Sequence, residues 1–184
     1  MASTLKVDTI QTNDGTGTIA LQNQLSGMTT ASLPTVTTDK LGTGAVLQVV
    51  SAASASEETT TSSSFQESGV LTVNITPAST SSKFWIVASF EGYNNTASST
   101  SFFSIFRLIS GGADTNLGGS FGMGHYRGSS NHNEGTIAMN YLDSPNTTTA
   151  LTYRVKLKAA SGTAYLNKGA GASKGSITVM EIAG

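Results

Sequence analysis

Cysteine is absent from this 184-residue chain, which removes disulfides, thiol nucleophiles and cysteine-ligated zinc together. Charge is scarce as well: 11% of the residues are Asp, Glu, Lys or Arg, against about 25% in an average soluble domain. A net charge of −1 leaves no basic footprint for nucleic acid, so no such partner is expected. No stretch approaches the ~20 apolar residues of a membrane helix, so membrane insertion is not expected. The opening Met1-Ala-Ser-Thr-Leu-Lys6 has no basic run leading into an apolar core. A secretory signal is therefore not expected, and synthesis in a cytoplasm is.

What is present is hydroxyl, amide and glycine polarity around a 38% hydrophobic fraction, enough for one core. A surface with so little charge has little colloidal repulsion and suits a protein held in an assembly. The triplets beginning at Asn74, Asn94 and Asn146 have the glycosylation spacing, and read as chance products of an Asn/Thr-rich chain.

The first 21 residues read as two short strands joined at Asn13-Asp-Gly15, with Leu5, Val7, Ile10, Ile19 and Leu21 as their sizeable apolar residues. An isolated two-stranded ribbon is marginal in water. Residues 1–25 are therefore expected to be an attachment arm pinned by something else, and residues 26–43 a linker. Residues 44–184 are expected to form the folded domain. Within it, strand-like runs occupy 45–50, 70–76, 83–93, 101–110, 135–142, 150–159 and 176–182, separated by turn residues. Residues 51–64, with nine Ser or Thr in fourteen, are expected to be a mobile loop or an irregular edge. Seven or eight strands at this spacing, with no helical period, predict an all-β, antiparallel β-sandwich of jelly-roll type. Deleting the last eight residues should then remove a core strand.

Facing follows from alternation. In 150–159, Leu151, Tyr153, Val155 and Leu157 alternate with Thr152, Arg154, Lys156 and Lys158, one face core and one wet. Two other runs are apolar on both faces: Phe84, Ile86, Ala88 and Phe90 against Trp85 and Val87, and Phe103, Ile105 and Ile109 against Phe102, Phe106 and Leu108. Such strands are covered on both sides. Either a loop or arm of the same chain covers the second face, or another subunit does. Periodicity leaves both open, and Trp85, Val87, Phe102, Phe106 and Leu108 are the interface candidates.

No motif carries catalytic, cofactor or metal chemistry, and an enzyme is not expected. The glycine-rich 169–175 lacks the Gly-Lys-Ser/Thr ending of a phosphate loop and precedes a strand. Asp114 with Asn116 falls short of a calcium shell, and Tyr93 through Thr96 reads as a plain turn, with contact of polar ligands through its amides as the alternative. The densest cluster runs through His125, Tyr126, Arg127, Asn131, His132 and Asn133, with both histidines of the chain. Its spacing matches no zinc pattern. A long inter-strand loop is the plain reading; a recognition loop using Tyr126, Arg127 and the amides of Asn131 and Asn133 is the functional one.

Thr4-Leu-Lys-Val-Asp-Thr-Ile-Gln11, followed by Gly15-Thr-Gly-Thr-Ile19, resembles the N-termini of tail-fibre and virion structural proteins of tailed marine bacteriophages, cyanophages especially. Gly42-Thr-Gly-Ala-Val-Leu-Gln-Val-Val50 and the closing Ser176-Ile-Thr-Val-Met-Glu-Ile-Ala-Gly184 are similar to the flanks of their C-terminal β-sandwich. The resemblance implies a tumour-necrosis-factor-like jelly-roll head, a homotrimer, attachment to other virion proteins through the arm, and a place on the virion exterior. It also implies adsorption to a host-surface glycan or protein. The short connector fits a short fibre or appendage, not a long shaft. Two alternatives remain: a purely structural head- or tail-decorating protein, and a soluble carbohydrate-binding, lectin-like module.

Overall fold

The structure, a computed structural model, describes residues 41–128, 134–169, 171 and 173–184. The arm residues Leu5, Val7, Ile10, Ile19 and Leu21, and with them the expected arm and most of the linker, lie outside the described residues.

Among the described residues there is no helix, and every strand pairing is antiparallel. Eleven strands form in chain order: β1 (Val46–Ser54), β2 (Glu58–Thr60), β3 (Gln66–Ile75), β4 (Lys83–Asn94), β5 (Thr100–Ile109), β6 (Asp114–Asn116), β7 (Gly124–Arg127), β8 (Gly135–Asp143), β9 (Leu151–Ala159), β10 (Ala164–Leu166) and β11 (Gly175–Ile182). One sheet, sheet A, is laid out β1-β11-β4-β8, with β10 continuing beside the far end of β4 and carrying β2 on its edge. The other, sheet B, is laid out β3-β9-β5, with β6 and β7 both against β5. Consecutive long strands thus alternate between sheets, and the last strand lies beside the first. This is the interleaving of a jelly roll, and the expected all-β sandwich is what forms.

The period-2 pattern explains why the sheets face each other as they do. Leu71, Val73 and Ile75 of β3, Phe84, Ile86, Ala88 and Phe90 of β4, and Ile177 and Val179 of β11 all point inward and are buried. Phe103 and Ile105 of β5 and Tyr153, Val155 and Leu157 of β9 meet them from sheet B. Each large side chain removed from water contributes about 1.5–3 kcal/mol. Because β11 lies between β1 and β4 and buries Ile177 and Val179, loss of the C-terminal residues opens the middle of sheet A.

Three expectations are corrected. Residues 51–64 are not wholly irregular: 51–54 complete β1, opposite 175–178 of β11, and 58–60 form β2. Their serine and threonine content hid strands whose backbone pairing comes from β11 and β10. The cluster that begins at His125 is not all loop, since Gly124–Arg127 is β7, registered on β5. The second face of β9 is open only toward its ends, at Thr152 and Lys158. Arg154 and Lys156 are buried, because β6 brings Asp114 over them.

Candidate binding surface

The outer face of sheet B is built from alternate residues of β9, β5 and β7. Antiparallel register places Lys158, Phe102 and His125 in one cross-strand row, with Thr100 and Arg127 one step along. Directly opposed residues point to the same side. Phe121, from the loop between β6 and β7, packs against Phe102 with ring centroids 5.7 Å apart and planes inclined at 46°, and is 72% exposed. Lys158 Nζ lies 4.8 Å from the Phe65 ring centre, 5.2 Å from Phe102 and 5.9 Å from Phe121, and donates to Ser120 O at 2.7 Å. The ammonium is thus held by ring faces and one carbonyl. Gly122, at φ +75°, makes the turn that presents Phe121; a Cβ there would run into the Phe103 carbonyl oxygen.

Lower on the same face the charges are balanced. Asp114 accepts from Arg154 Nη2 at 2.8 Å and from Lys156 Nζ at 2.5 Å, and Arg154 also pairs with Glu67. Lys156 Nζ sits 4.9 Å from the Phe106 ring centre, and Phe65 packs edge-on to Phe106 at 5.3 Å. Asp114 is therefore committed to two side-chain cations, and Asn116 Oδ1 to Ser104 Oγ and Gly118 N. Their use as calcium ligands is displaced by these internal bonds.

The receptor-contact candidates are divided by the pleat. His125 and Arg127 are exposed on the outer face, whereas Tyr126 points inward and packs against Tyr93 at 6.2 Å. Asn131, His132 and Asn133 lie outside the described residues. The amide of Asn94 is not free for a ligand. It is fully buried, donates to Ser101 Oγ and Ser161 O, and accepts from Thr96 N. Phe121, Phe65 and Lys158 were not singled out by sequence reasoning. The cations at every second position of 154–158 were the available signal, while nothing local ties Phe121 to them.

The five interface candidates do not share a surface. Trp85 and Val87 lie on the outer face of sheet A, and Phe102, Phe106 and Leu108 on the outer face of sheet B, because β4 and β5 belong to opposite sheets. Phe102 and Phe106 are covered from within the chain by Phe121, Phe65, Lys156 and Lys158. No such cover lies over sheet A among the described residues. Register aligns Val49, Met180, Trp85 and Leu142 in one apolar row across β1, β11, β4 and β8. Val49 is 56% exposed and Leu142 46%, with Val46 and Val87 exposed beside them.

Clefts open elsewhere: one of about 290 Å³ is bounded by Leu41, Leu47, 78–79, 81–82 and 183–184, and another of about 340 Å³ by 89–91, 134–136, Ser173 and Lys174. No group of three His, Cys, Asp or Glu able to hold a metal occurs among the described residues.

No protein-family model and no curated protein matches the chain. Two solved structures that do match are those of infectious bursal disease virus, Gx strain and Gt strain. The first has a TM-score of 0.43 at 11% identity, covering 76% of this chain and 33% of that one. The second has a TM-score of 0.36 at 10% identity, covering 74% and 38%. The chain spans 33% of the one and 38% of the other, and likeness at this level bears on neither its activity nor its assembly.

Proposed function

We propose that this chain is a non-enzymatic virion structural protein: a short trimeric fibre or appendage on the exterior of a tailed bacteriophage, joined to the particle by residues 1–25. The observation that carries the reading is the row Val49, Met180, Trp85 and Leu142 across sheet A. Monomeric soluble proteins rarely leave contiguous apolar faces of this kind in water. In a chain with 11% charged residues, little else keeps separate copies apart. Burying that row between copies accounts for the apolar second face of β4, and the resemblance of the chain's two ends to phage fibre proteins names the assembly.

Within that reading, host-surface recognition falls to the opposite side of the sandwich. The outer face of sheet B holds His125, Arg127 and Phe121 in the open, pointing away from copies associated through sheet A. The test is a truncation lacking residues 1–30. It should yield a folded head that no longer enters particles, and normal incorporation would sink the attachment role. Replacement of His125 and Arg127 together should abolish adsorption; unchanged adsorption would leave a decorating protein without receptor binding.

A further inference from the structure

We propose that the outer face of sheet B at Lys158, His125, Arg127 and Phe121 is a docking site for an acidic saccharide, a sugar ring bearing carboxylate or sulfate. The inference deepens the host-recognition reading above and rests on it for biological sense, though not for its chemistry.

Charge comes first. The acids that face outward on sheet B are Glu67 and Asp114, and both are occupied by Arg154 and Lys156. Lys158, His125 and Arg127 have no carboxylate partner among the described residues, although they cluster at one end of three adjacent strands. In a chain of net charge −1 Lys158 and Arg127 are a local excess of cation that favours an anion, and the His125 imidazole adds a polar group beside them. Lys158 is also pre-organised, since the carbonyl of Ser120 and three phenyl rings fix its ammonium before any ligand arrives. Less side-chain freedom is then lost on binding.

Shape decides the rest. A large ring 72% exposed at a turn offers an apolar plane beside donors, which matches the C–H face of a pyranose whose acidic group lies at the ring edge. An extended peptide needs pockets for alternate side chains, and neither the cleft at Leu41 and Leu47 nor the one at Glu91 and Glu134 lies on this face. The face is a platform, and a ring stacked on a platform needs no pocket.

The test is titration calorimetry of the full chain at low salt with oligogalacturonate, its methyl ester, dextran sulfate and polyglutamate. Binding of oligogalacturonate or dextran sulfate, weakened by added salt, is expected. The methyl ester, with the same ring and no charge, should not bind. Phe121→Ala and Arg127→Gln should each weaken binding about tenfold with an unchanged circular dichroism spectrum. Failure of both acidic saccharides to bind, indifference to both variants, or equal affinity for polyglutamate would overturn the assignment. The purified protein is also tested for competition with particle adsorption to cells. Competition without saccharide binding removes this ligand and leaves host recognition standing. Saccharide binding without competition leaves the site standing and removes host recognition.

Discussion

Tyr153 donates its hydroxyl hydrogen to Asp143 Oδ2 at 2.7 Å, and that bond runs from β9 of sheet B to β8 of sheet A. Arg107 of β5 holds both oxygens of the same carboxylate, at 2.7 and 2.9 Å. One buried aspartate thus ties the outermost long strand of sheet A to the two central strands of sheet B. Its position opposite Phe84 keeps it inside the sandwich.

Removing that carboxylate should be costly. Asp143→Ala leaves Arg107 largely buried without a counter-charge, and a loss of about 3–5 kcal/mol is expected. Urea denaturation measures it. The double substitution Arg107→Met with Asp143→Leu should recover most of the loss, since an apolar pair of similar volume needs no compensation. A double mutant as unstable as the single would show that the geometry of the pair, not its charge, is what matters.

Alkali should expose the same network. Burial raises the Tyr153 hydroxyl far above the ordinary phenol value of 10, with its hydrogen bond to Asp143 and that group's charge adding to the rise. A raised folded-state value means that the fold holds this proton more tightly than the unfolded chain does. The contribution is fully present below about pH 10 and is lost as the pH climbs beyond it, at about 1.4 kcal/mol per pH unit. Tyr153→Phe should be less stable than the parent at neutral pH and lose less stability between pH 10 and 11.5. Parallel pH profiles for the two proteins would refute the assignment.

The two apolar outer faces should respond differently to charge. Trp85→Asp or Leu142→Asp places a carboxylate on the exposed row of sheet A, and multi-angle light scattering should show trimers falling to monomers with the thermal midpoint of the isolated head little changed. Unchanged mass would exclude this face as the interface. Phe106→Asp acts inside the fold, where the ring is 8% exposed and packs on Phe65 and Lys156. It should cost about 3–5 kcal/mol, visible as a lowered thermal midpoint.

The turn that presents Phe121 depends on glycine. Gly122→Ala must hold a Cβ at φ +75° against the Phe103 carbonyl, and a loss of about 1–3 kcal/mol is expected. Gly119→Ala, also at positive φ (+77°) but with open space around the added carbon, should cost less. Chemical denaturation of the two variants separates the steric clash from backbone strain alone.

Much of the architecture was legible in the linear chain because alternation is a local property. Leu151, Tyr153, Val155 and Leu157 announce a strand with one face in the core whatever surrounds them. The short strands escaped notice for the converse reason. Glu58–Thr60 and Asp114–Asn116 carry no apolar pattern, and they are strands because β10 and β5 supply partners for their backbones. The pattern also showed that β4 and β5 are apolar on both sides, but could not show that they belong to different sheets.

By itself, then, the sequence determined the class of fold, the run of long strands, the absence of thiol chemistry and the scarcity of charge. Each of these rests on composition or on a period of two along a single strand. Only the tertiary structure decided that Phe102 and Phe106 are covered by their own chain, while no other described residue covers Trp85 and Val87 in the same way. It alone brought Lys158, Phe102, Phe121 and His125 to one surface, and closed Asp143 over Arg107 and Tyr153. These outcomes depend on which strands become neighbours and which loops cross the outer faces, and sheet register over long stretches of chain sets both.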